Sequence, residues 1–90
     1  MPSYLVETYL ARGRAEERAA FERRARSAAE ELTRDSTPVR FDRAIHVPQD
    51  EICFYVFEAP AASDAARAAR RAGLDPLRVV ETVSSGKEQQ

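Results

Sequence analysis

The sequence predicts an α+β domain whose elements run βαββαβ. Three features predict it: four short stretches rich in β-branched and aromatic residues, two alanine-rich stretches of helical period after the first and third of them, and turn residues at the junctions. Ninety residues suffice for one such domain and not for two separate cores. The expected division is a single domain over 1–83 and a flexible C-terminal tail over 84–90, which is polar and without periodicity.

The first strand is read from Ser3 to Leu10, where Tyr4, Leu5, Val6, Thr8 and Tyr9 suit a pleated surface better than a helix. Gly13 marks the turn that follows. From about Ala15 to Thr33 the period changes, and Phe21, Ala25, Ala28 and Leu32 fall on one helical face. Charges occupy the other face, with Glu22, Arg26 and Glu30 at i,i+4 spacing. Asp35 to Pro38 close this helix.

Val39 to Val47 reads as a half-buried strand, with Val39, Phe41, Ile45 and Val47 alternating against Arg40, Asp42, Ala44 and His46. Arg43 interrupts the apolar alternation and is expected near an edge. Pro48 to Asp50 turn the chain, and Ile52 to Phe57 form a strand apolar enough to be central. After Ala59-Pro60 comes the second helix, with Ser63 as the expected N-cap and Asp64 at its positive end. Gly73 is placed as the left-handed residue beyond its C-terminus, with Leu74 as apolar partner and Pro76 preventing continuation. Leu77 to Val83 make the last strand. Two split βαβ halves of this kind give the ferredoxin-like sandwich: a four-stranded antiparallel sheet with two helices on one face. The other face is left bare, and a homodimer is the expected way to cover it.

A net charge of −1 argues against nucleic acid or an anionic membrane surface as partner. Cys53 is the only cysteine, so no internal disulfide forms, and a cytoplasmic, reducing location is expected. Neither export nor membrane insertion is indicated by the apolar pattern.

A turn symmetric about Gln49 and Asp50 sets Val47 opposite Ile52, His46 opposite Cys53, Ala44 opposite Tyr55 and Asp42 opposite Phe57. The reading sends Ile45, Val47, Ile52, Phe54 and Val56 to the helix side, leaving Arg40, Asp42, His46, Cys53 and Tyr55 on the bare face. Glu7 joins them, because a carboxylate does not favour a covered core. An imidazole and a thiol directly across an antiparallel pair lie within reach of one metal ion, and His46 with Cys53 is the candidate metal pair. A hydrogen-bonded neighbour pair is the bland alternative. Arg40 and Asp42 are expected to form a same-face ion pair or clamp a ligand. A Cys53 nucleophile with His46 as base lacks an oxyanion-type turn and a third orienting group, so the reading leans away from an enzyme. Phosphate-binding glycine motifs are absent from the sequence, and the Phe54 to Phe57 run lacks the basic-glycine start of an RNA-recognition strand.

These residues together resemble a family of small bacterial nickel-binding proteins with a ferredoxin-like fold, long catalogued as a domain of unknown function. The resemblance spans nearly the whole chain and is carried by Tyr4-Leu5-Val6-Glu7, Val39-Arg40-Phe41, Cys53 with Phe57-Glu58-Ala59-Pro60, and Ala69-Arg70-Arg71-Ala72-Gly73-Leu74 followed by Arg78-Val79. It implies a dimer with a site for nickel or another transition metal on the sheet. Phe41 stands where the family usually has Trp, Ala44-Ile45 where a Ser-Tyr pair is common, and Ala68 where metal-binding relatives often place His. Under this reading His46 compensates for the last. The alternative is a small-molecule-binding protein or enzyme whose pocket, at the dimeric sheet face, is lined by Glu7, Arg40, Asp42, His46, Cys53 and Tyr55.

Overall fold

The computed structural model describes residues 1–83, so the tail expected over 84–90 lies outside the described residues. Strands β1 (Ser3–Tyr9), β2 (Arg40–Val47), β3 (Ile52–Glu58) and β4 (Arg78–Thr82) form one antiparallel sheet in the order β2-β3-β1-β4. Helices α1 (Arg18–Arg34) and α2 (Ala62–Arg71) make the crossovers, the ferredoxin-like arrangement. A short 3-10 stretch, Arg12–Glu17, precedes α1.

The core lies between the sheet and the helices. Alanine supplies most of the helical side: Ala25, Ala28, Ala29 and Leu32 from α1, and Ala65, Ala66, Ala68 and Ala69 from α2, are buried. Such small side chains leave space that the sheet fills with large ones, Tyr4, Val6, Phe41, Tyr55 and Phe57. Each fully buried side chain of this size contributes roughly 1.5 to 3 kcal/mol. Phe41 and Phe57 meet at a ring separation of 5.4 Å and an angle of 59°, the tilted contact aromatic pairs favour.

Local chemistry fixes the element ends. Gly73 has φ +85°, its N–H donates to the Arg70 carbonyl, and the Leu74 N–H donates to that of Ala69, which completes the left-handed C-terminal motif expected for α2. The start of α2 differs from expectation: Ala61 rather than Ser63 is the N-cap, without a side-chain bond, while Asp64 stands in the first turn. Thr33 joins α1 to β2 twice, its Oγ1 donating to the Val39 carbonyl at 2.9 Å and accepting from the Val39 N–H at 3.1 Å.

The hairpin register between β2 and β3 is as expected from Val47 opposite Ile52 through Ala44 opposite Tyr55. Further along it changes, because a bulge falls between Phe41 and Arg43 and sets Phe41, not Asp42, opposite Phe57. The bulge lets Phe41 turn inward while Arg43 points outward beside Ile45 and Val47.

Candidate functional site

The sidedness of the hairpin is the reverse of the expectation. Tyr4, Val6 and Thr8 of β1 and Cys53, Tyr55 and Phe57 of β3 are buried in register with one another beneath the helices. Their alternates Leu5, Glu7, Tyr9, Ile52, Phe54 and Val56 lie on the bare face. The physical reason is charge. Both sets of β3 are apolar, but Glu7 lies opposite Phe54 and Arg43 opposite Val56, so covering that set would bury both charges.

His46 and Cys53 are directly opposite each other, as expected, but they face α1 rather than solvent. Cys53 is 0% exposed and Tyr55, two residues along the same face, is 1% exposed. The Thr8 hydroxyl donates to the Cys53 carbonyl at 2.8 Å. Above this row stand Arg18 and Glu22 of α1, paired at 3.1 Å. Burial pushes the Cys53 thiol above its ordinary range, and the Tyr55 hydroxyl and the Arg18 guanidinium, which favour the thiolate, offset only part of that. Tyr55 is raised too, again chiefly by burial. The His46 Nε2 is buried and has no hydrogen-bond partner. An orphaned ring nitrogen next to a neutral thiol is an incomplete polar cluster of the kind that asks for a further group.

His46 and Cys53 are cross-strand partners. Among the described residues, no group of three or more His, Cys, Asp and Glu side chains is placed to hold a metal ion.

A cleft of about 210 Å³ opens onto the Tyr55 side of this row. Thr8, Leu10, Phe21 and Leu74 line it, with Arg14 and Asp75 adding one charge of each sign. Sequence reasoning did not identify this cleft, because it depends on how the 3-10 stretch before α1 and the turn after α2 approach each other across Tyr55.

The bare face holds the remaining candidates, in other pairings than expected. Glu7 accepts from Arg78 Nε at 3.0 Å. Arg40 pairs with Glu58 at 2.8 Å instead of with Asp42, which sits at the bulge and pairs with Arg43 at 2.6 Å. Between these ion pairs lies an apolar field: Leu5 is flanked by Val56 and Val80, and Phe54 by Ile45. Tyr9 and Ile45 are 61% and 38% exposed. The structure thus separates the sequence candidates into two groups, with Glu7, Arg40 and Asp42 away from the helices and His46, Cys53 and Tyr55 beneath them.

Among the described residues no helix is long and apolar enough to cross a membrane. No family model matches the chain, and neither a curated protein nor a solved structure matches it.

Proposed function

We propose that this chain is a homodimeric, cytoplasmic binding protein that takes up a transition-metal ion, nickel in the family its sequence resembles, through His46 and Cys53. The observation that carries the reading is the His46 Nε2, buried without a partner directly across from the thiol. Two protein donors leave coordination positions for exchangeable ligands, which suits sequestration or sensing better than a structural role. Binding releases the Cys53 proton, and because burial raises that thiol, uptake strengthens as pH rises. The field of half-buried Leu5 and Phe54 with exposed Tyr9 and Ile45 is the seam of the dimer, since apolar side chains left open on one face of a small chain mark an association site.

Titration of the purified apoprotein with nickel and zinc, followed by calorimetry and by sulfur-to-metal absorption, tests the metal reading. Uptake that is lost in both His46→Ala and Cys53→Ser supports it. No uptake by the wild-type chain, or uptake unchanged in both variants, overturns it.

The cleft that reaches Tyr55 favours a second reading, a small-molecule binder. Its volume is below the roughly 300 Å³ at which drug-sized pockets begin, so its occupant is compact and carries a polar group for the Tyr55 side.

A further inference from the structure

A groove of about 550 Å³ lies elsewhere, between the C-terminal half of α1 and the edge strand β2. Ala29, Val39 and Phe41 form its floor. All three belong to the buried core, and the two Thr33 bonds to Val39 hold the floor in place. Arg26, Glu30 and Arg34 rise along one wall at successive turns of α1. The Arg26 guanidinium lies 5.2 Å from the centre of the Phe41 ring. Although Glu30 is between them in the chain, no carboxylate among the described residues comes within 4.0 Å of either Arg26 or Arg34, the only arginines of the groove wall without an ion pair. Arg40, at the opposite rim, is already neutralised by Glu58 at 2.8 Å.

We infer that this groove binds a small monocarboxylate with an apolar chain, its head held by Arg26 and Arg34 and its tail lying against Met1 and Pro38 above the buried Val39 and Phe41. The charge selects the class. Two guanidinium groups against one carboxylate of the wall, with the Met1 ammonium also lining the groove, leave it positive, which selects an anion. A planar carboxylate also suits the guanidinium fork. The apolar floor selects a chain-bearing acid over a small polar one, since burying each methylene contributes about 0.8 kcal/mol. The groove opens at the edge of the sheet and on the helix side of Phe41, so pairing of the bare faces leaves it free, and the inference stands apart from the metal reading.

Titration of the full chain with octanoate, and separately with the uncharged octanamide, followed by amide chemical shifts, tests it. Octanoate is expected to move the amides of Ala29, Val39 and Phe41 and to bind several-fold more tightly than octanamide, the advantage shrinking as salt is added. Arg26→Gln and Arg34→Gln are each expected to weaken octanoate about two- to fivefold while leaving octanamide unchanged. Arg34→Gln breaks no contact described for the fold, so it reports even if Arg26→Gln disturbs Phe41. Equal affinity for the two probes, shifts confined to the bare sheet face or to the Tyr55 cleft, or an Arg34→Gln variant that binds octanoate as the wild type does would overturn the inference.

Discussion

His46 and Cys53 face each other across β2 and β3 on the covered side of the sheet, so the only thiol of the chain is sealed beneath Arg18 and Glu22. A thiol whose pKa is raised by burial is a poor nucleophile, and as the folded state excludes the thiolate, alkaline conditions work against folding. The sign is the same for Tyr55. Both groups contribute fully below their ordinary values, 9.0 and 10.0, and that contribution is lost as pH climbs toward the raised ones. Stability to urea should therefore fall above about pH 9, by at most about 1.4 kcal/mol per pH unit for each group. Cys53→Ala and Tyr55→Phe should each flatten the decline relative to the wild type. A wild-type curve that is level from pH 8 to 11 would contradict the buried, protonated pair.

The bare face makes its own prediction. Phe54 stands between Glu7 and Ile45, at the centre of the apolar field, and contributes nothing to the layer under the helices. Phe54→Lys should leave the fold intact and convert a dimer at micromolar concentration into a monomer, as measured by sedimentation velocity. If the unmutated chain sediments as a monomer at tens of micromolar, the face has another use.

Much of this architecture was legible in the residues, and what was not has a definite cause. The strand order, the hairpin pairing of His46 with Cys53 and the glycine that ends α2 all follow from local pattern. Sidedness does not, because β3 is apolar on both sets of alternates, Ile52, Phe54 and Val56 against Cys53, Tyr55 and Phe57. Period two then gives parity without saying which parity is inside. The deciding clue lay in Arg43, which shares the parity of Ile45 and Val47 and would be buried with them if that set were covered. The Arg40–Glu58 pair was hidden by the same bulge that misplaced Asp42, since one extra residue shifts the register of everything beyond it.

Gly73 offers a test confined to the backbone. A methyl group there would meet only Arg24 Nε at 3.9 Å, an ordinary contact, so the cost of Gly73→Ala arises from φ +85° alone. About 1 kcal/mol is expected, which for a domain of this size lowers the thermal midpoint by roughly 4 to 8 °C. Calorimetry checks it. A midpoint unchanged within a degree would mean that the left-handed turn is not held in solution.

The bulge at Asp42 gives the sharpest structural prediction. Phe41 is opposite Phe57 and Arg43 is opposite Val56, which are neighbours in β3, so Asp42 is the surplus residue. Deleting Asp42 leaves Phe41 inward and Arg43 outward with no change of register, and should cost only about 1 kcal/mol, mainly the lost exposed pair with Arg43 and the lost local twist. Deleting Ala44 instead removes an inward residue, and the alternation then carries Arg43 under the helices unless the bulge migrates. An unpaired charge in that layer costs on the order of 3 kcal/mol or more, a large share of the stability of a small domain. Denaturation of the two single-residue deletions side by side should therefore separate them widely, with the Asp42 deletion the more stable. Equal losses would show that the bulge is not anchored where Phe41 and Arg43 place it.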